Sequence, residues 1–138
     1  MKLVSIAANP VPEDVVTGML TTPDGRALRF ARFAPPPGRR GTVCLFQGRA
    51  EFIEKYFETV RDLRSRGFAV ATFDWRGQGL SDRALADPYK GHVSDFAEFF
   101  GDFVDQDGEF GVRDYTGLDH DTDIAASLVG DGFDDAGI

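Results

Sequence analysis

Thr42-Val43-Cys44-Leu45-Phe46 is a short uninterrupted apolar run, the pattern of a strand covered on both faces. From Glu51 to Arg66, the apolar positions Phe52, Ile53, Tyr56, Phe57, Val60 and Leu63 fall on one stripe at helical spacing. Glu51 and Glu54 sit at the positive end of that helix, and Arg61, Arg64 and Arg66 near its negative end. Gly67 suits the residue just past the last turn. Phe68-Ala69-Val70-Ala71-Thr72-Phe73 then reads as a second buried strand that stops at Asp74. Strand, helix and strand joined by short links make a βαβ unit, hence an α/β fold with a parallel sheet.

Upstream, Val15–Thr22 and Ala27–Phe33 read as two strands around Pro23-Asp24-Gly25-Arg26, where proline presets φ and glycine tolerates a positive one. The alternation in the second strand is imperfect. Pro35-Pro36-Pro37-Gly38-Arg39-Arg40-Gly41 follows as a stiff connector. Downstream, Asp74 opens the Gly-rich loop Trp75-Arg76-Gly77-Gln78-Gly79-Leu80-Ser81-Asp82, placed at a strand's C-terminal end, where the sites of α/β sheets collect. Val93, Phe96, Phe99, Phe100 and Phe103 recur at helical spacing and predict a helix from near Ser94.

The 138 residues suit one domain or part of a larger one, and 42% hydrophobic residues with 13 Phe can support a core. A single cysteine, Cys44, excludes an intrachain disulfide framework and a cysteine-rich zinc site. No apolar run is long enough to span a bilayer, and the apolar stretch after Met1 is too short for a signal peptide. The expectation is a soluble, cytoplasmic chain, with membrane association left open. The net charge of −8 is unevenly spread. Residues 1–100 carry 14 Lys/Arg and 12 Asp/Glu, whereas 101–138 carry one base, Arg113, and 11 acids, with seven of the 16 Gly. That shift divides the chain into 1–104 and an Asp/Gly-rich tail, 105–138. Without a basic surface, the tail offers nothing to nucleic acid.

Phe46-Gln47-Gly48-Arg49-Ala50-Glu51, Phe73-Asp74-Trp75-Arg76-Gly77-Gln78-Gly79-Leu80-Ser81 and Asp87-Pro88-Tyr89-Lys90-Gly91-His92-Val93 together resemble the α/β-hydrolases of the lysophospholipase and monoacylglycerol-lipase-like, serine-aminopeptidase-type group. The likeness runs over roughly residues 15–100. It implies an incomplete α/β-hydrolase fold, made of the hairpin and the βαβ unit, while the composition of the acidic tail, unlike the family, leads to an expectation of disorder there. It implies hydrolysis of a carboxylic ester in a lysophospholipid or monoacylglycerol by serine acyl transfer, without metal or organic cofactor. Carried over, Gln47 and Gly48 form the oxyanion loop, and the Arg49 amide is one oxyanion donor. Asp74, Arg76, Gly77, Gly79 and Ser81 form the Gly-rich loop. Many relatives have His where Gln47 stands. A tetrahedral intermediate needs two such donors, and losing one costs about 2.7–4 kcal/mol.

The nucleophile of that group sits in Gly-x-Ser-x-Gly, and no such pentapeptide occurs here. Ser127, in Ala125-Ala126-Ser127-Leu128-Val129, lacks both flanking glycines and reads as an ordinary serine. His92 lies upstream, as a residue that fixes a helix entry, and His120 precedes Ser127, the wrong order for a triad. No catalytic residue is identifiable. Asp119-x-Asp121-x-Asp123 begins like a calcium loop, but Ile124 stands where its glycine belongs and Gly130 where its glutamate belongs. Inactivity alone is therefore expected, with half of a split hydrolase or a non-enzymatic binding module as alternatives. The resemblance also sets Thr42–Phe46 between Phe68–Phe73 and the strand leading to the elbow. With no such strand read in the sequence, Thr42–Phe46 becomes an exposed edge through which copies self-associate.

Overall fold

The computed structural model describes residues 2–35, 37–38 and 40–102, and the backbone of 124–129. Val15–Thr21 (β1) and Ala27–Phe33 (β2) form the expected hairpin, with Val15 opposite Phe33 and Thr21 opposite Ala27. Its turn is tied by the Thr22 hydroxyl, which accepts from the Arg26 amide at 2.9 Å and donates to Asp24 Oδ1 at 2.5 Å. Gly41–Gln47 (β3) and Phe68–Phe73 (β4) run parallel, with Val43 opposite Val70. β2 closes on β4 antiparallel.

A fifth strand, Ile124–Val129 (β5), lies parallel to β3 on its other side, from Thr42 opposite Ile124 to Gln47 opposite Val129. The sheet order is β1-β2-β4-β3-β5. β3 is therefore interior, not the edge that the sequence predicts, and the outer position passes to β5. These six residues of the predicted tail are part of the sheet. They hold few large apolar side chains, but main-chain pairing along β3 satisfies backbone groups whatever the side chains are. Asp119, His120, Asp121, Asp123 and the rest of 103–123 and 130–138 lie outside the described residues.

The helix predicted for Glu51–Arg66 begins as a 3₁₀ turn, Ile53–Tyr56, and continues as Phe57–Ser65 (α1). Its start is delayed because Phe52 is extended and the Glu51 and Ile53 amides donate to the Gln78 and Asp74 side chains. Gly67, at φ +93°, ends the helix in the conformation that favours glycine. The second helix is Ala97–Gly101 (α2), shorter than the spacing predicts, after a turn in which Asp95 Oδ1 accepts from the Ala97 amide at 2.9 Å.

Both faces of the central strands are covered, which is why β3 is buried along its whole length. On one face Leu45 and Val70 pack with Phe33, Ile53, Phe57 and Val60 of α1 and its approach. On the other, Phe73 stands edge-on to both Phe46 and Trp75, and Phe99 of α2 meets the Trp75 ring at 5.5 Å. The βαβ unit thus brings the turn after β3 and the loop after β4 to the same, C-terminal edge of the sheet.

Candidate active-site edge

Three segments meet at that edge, and the buried Asp74 carboxylate joins them. Asp74 Oδ1 accepts from the Ile53 amide at 2.9 Å, and Oδ2 from the Leu80 amide at 2.9 Å and from the Arg29 guanidinium at 2.6 Å. Arg29 also forks onto Glu54, each nitrogen–oxygen pair at 2.8 Å. The Ser81 hydroxyl completes the junction, accepting from the Arg29 amide at 2.8 Å and donating to the Asp74 carbonyl at 2.6 Å. Burial works against charge on Glu54, but the Arg29 fork outweighs it and holds this carboxyl below its usual value. Burial likewise opposes charge on Arg29, and its two acidic partners raise its affinity for the proton.

Arg76 anchors the other side of the loop. Its guanidinium pairs with Asp102 at 2.5 Å, with Glu98 at 3.0 Å and with Asp24 at 3.0 Å, joining the hairpin turn, the Gly-rich loop and α2. Asp102 chiefly raises the Arg76 proton affinity, and burial pushes the Asp102 carboxyl up. Gly79, at φ +49°, passes so close that a Cβ there would lie 1.9 Å from Asp74 Oδ2. Gly77 also has a positive φ, +75°. The five predicted residues of the Gly-rich loop, Asp74, Arg76, Gly77, Gly79 and Ser81, thus come together at this edge of the sheet. Their contacts run within the loop and to the hairpin, the approach to α1, and α2.

The turn after β3 is built separately. Gln47 is buried; its amide, oriented to satisfy both ends, donates to the Phe73 carbonyl at 2.8 Å and accepts from Thr72 Oγ1 at 3.0 Å. The Gln47 carbonyl accepts from the Trp75 indole at 2.8 Å. Gly48 donates its amide to Glu51 Oε2 at 2.7 Å. Arg49 is exposed, and among the described residues nothing accepts from its amide. Such an N–H at a strand's C-terminal end can polarise a carbonyl oxygen. His92 is exposed, with Nε2 3.4 Å from Ser94 Oγ, just ahead of α2. Ser127 stands in the middle of β5, opposite Leu45, not on a turn. Among the described residues no cluster of metal-ligating side chains occurs.

Arg29, Glu51, Trp75 and Gln78 are missing from the residues singled out as site residues in the sequence. A charged residue breaking the inward alternation of β2 is the signal for Arg29. For Glu51 it is the Gly-x-x-Glu spacing, in which a side chain reaches back to an amide three residues earlier, as in a capping box.

A sheet ordered β1-β2-β4-β3-β5, with its βαβ unit and the Gly-rich loop at its C-terminal edge, is the first part of an α/β-hydrolase fold. Residues 37–110, just over half the chain, match the Hydrolase_4 family, described as serine aminopeptidase, S33, and the chain belongs to that family. Lysophospholipase L2 of Escherichia coli (strain K12) is 43% identical over 81 residues, covering 59% of this chain and 24% of that protein. The probable lysophospholipase L2 of Haemophilus influenzae is 38% identical over 70 residues, covering 51% of this chain and 22% of that one. The chain thus spans about a quarter of the length of these curated relatives. Among solved structures, a thermostable carboxyl esterase from Bacillus coagulans in complex with glycerol is 21% identical, over 50% of this chain and 23% of that one, with a TM-score of 0.46. No helix among the described residues is long and apolar enough to cross a membrane.

Proposed function

We propose that this chain carries the oxyanion-loop part of a carboxylic-ester hydrolase acting on lysophospholipid or monoacylglycerol, and that it is inactive by itself. The open Arg49 amide carries the reading: it stands at the C-terminal end of β3, on a turn whose neighbouring amide is already bonded. A donor fixed there would bind the oxygen of an ester carbonyl and strengthen its hold as negative charge develops in the tetrahedral intermediate. The likeness to lysophospholipase L2 supports the substrate class. Gly-x-Ser-x-Gly is absent from the sequence, so attack, proton transfer and the second donor need groups this chain does not supply. One half of a split hydrolase, completed by a second polypeptide, is the alternative reading, and the place of either is the cytoplasm or its membrane face.

Grafting tests the reading. Residues 43–96 are grafted into E. coli lysophospholipase L2 in place of its matching segment, and lysophospholipid hydrolysis by the chimera is measured. Retained turnover supports the assignment, and its loss on replacing the Gly48-Arg49 pair with a proline-containing turn attributes it to the amide. A folded chimera without turnover overturns it.

A further inference from the structure

Gly48 and Arg49 each present a main-chain N–H just past β3, and only one of the two is taken. The Gly48 amide donates to Glu51 Oε2 at 2.7 Å. The same oxygen accepts from the Tyr56 hydroxyl, and Glu51 Oε1 accepts from the Lys55 ammonium. The Glu51 amide is itself tied to Gln78 Oε1 at 3.1 Å. Between Arg49 and Glu51, Ala50 holds φ +62°, a left-handed conformation that alanine adopts rarely without outside constraint.

We propose that Glu51 is a positioning residue for the turn: its carboxylate takes the Gly48 amide, clamps the left-handed Ala50, and leaves the Arg49 amide open. The proposal deepens the oxyanion reading and rests on it for its chemical meaning. Without the clamp, the Gly48 amide would compete with that of Arg49 for an incoming carbonyl oxygen, on a backbone free to relax. A bare carboxylate so near a developing oxyanion would oppose it. Lys55 and Tyr56 offset this by donating to Glu51, so that its charge is spent within the turn. The same two groups, Lys55 first, hold the Glu51 carboxyl below its usual value despite burial, so the clamp is ionised throughout the neutral range.

Amide hydrogen exchange and a pH titration by NMR of the isotope-labelled full chain test this directly. The Gly48 amide should exchange about tenfold more slowly than that of Arg49. Its proton shift should titrate with a midpoint below the ordinary Glu value of about 4.3. Glu51→Gln should abolish the titration and raise Gly48 exchange toward the Arg49 rate, while amides of Ala69–Thr72 stay protected. Tyr56→Phe keeps the carboxylate and should raise the midpoint without abolishing it, which decides the matter if the first variant does not fold. Equal exchange of the two amides in the unsubstituted protein, a Gly48 amide that does not titrate, or variants that leave it unmoved would overturn the proposal. These readouts follow the turn alone. An inactive chimera beside a titrating Gly48 amide would reject the ester-hydrolase reading and keep the clamp.

Discussion

Arg29 and Asp74, separated by 45 positions in sequence, meet at 2.6 Å in the interior, with side-chain exposures of 2% and 0%. The pair matters less as an attraction than as a junction. Asp74 also satisfies the Ile53 and Leu80 amides, so one carboxylate fixes the approach to α1 and the Gly-rich loop together.

Asp74→Ala should therefore be severe. It leaves the Arg29 Nε and two main-chain donors without their acceptor, and because the Glu54 fork still holds the guanidinium the loss should be near the lower end of the about 3–5 kcal/mol that breaking a buried pair from one side costs. Urea unfolding of the two proteins would show it as a lower midpoint at unchanged slope. A loss under about 1 kcal/mol would mean that water replaces the carboxylate without strain.

Gly79→Ala attacks the same junction from the other direction. Its Cβ would stand 1.9 Å from Asp74 Oδ2, and φ +49° already disfavours a side chain. Overpacking costs about 1–3 kcal/mol. The double variant Gly79→Ala/Asp74→Ala should lose less than the sum of the single losses, and a double-mutant cycle by urea unfolding measures the shortfall. Strict additivity would show that the two do not act on one another.

Acid should destabilise the fold in a predictable window. Glu54 and Glu51 have folded values below their unfolded ones: Arg29 outweighs burial at Glu54, and Lys55 leads at Glu51. Their stabilising contribution is present above the unfolded carboxylate range, about pH 4, and is lost as pH falls through the lower folded values. Asp102 has the opposite sign, because burial raises its value and protonation relieves it. Urea midpoints should fall below about pH 4, and less steeply in Glu54→Gln than in the unsubstituted chain. An unchanged acid slope in that variant would exclude Glu54 as a source.

The full chain should not react with a fluorophosphonate probe or release fatty acid from lysophospholipid. Ser127 sits within the strand β5, paired opposite Leu45, and lacks the flanking glycines of a nucleophile turn. Mass spectrometry after labelling decides the matter, and stoichiometric modification of Ser127 would overturn the inactivity.

Deleting β5 should uncover β3. A chain ending at residue 104 leaves the outer backbone groups of Gly41–Gln47 unpaired beside Val43 and Leu45, a template for strand pairing. Sedimentation at matched concentration should show larger species for the truncation than for the full chain. Identical monomers of equal stability would mean that β5 contributes nothing to the sheet.

What the sequence made legible was whatever repeats locally. The apolar run of β3, the stripe from Ile53 to Leu63 and the Pro23–Arg26 turn each contain their own explanation within a few residues. Arg29 does not: its partners come from residues 54 and 74, and in sequence it is only a flaw in an alternating strand. Glu51 reads as a helix-terminal acid until its carboxylate is seen on the Gly48 amide. β5 escaped because its six residues sit in strongly acidic surroundings, and its pairing is made by backbone, which composition does not register. The resemblance assigns Gln47 and Gly48 to the oxyanion loop and the donor role to the Arg49 amide, and the hydrogen bonds add that the Gly48 amide beside it is occupied.

The register of β5 against β3 also sets an order of assembly. As the chain leaves the ribosome, β1 to β4 and α1 are complete once residue 73 has emerged, and every pairing among them is available at that moment. β5 arrives only after some fifty further residues have been made. For that interval the nascent chain carries a finished four-stranded sheet with one naked flank, long enough for a chaperone or a neighbouring nascent strand to reach β3 first. Slower translation through 74–123 lengthens the interval in which β3 stands unpaired.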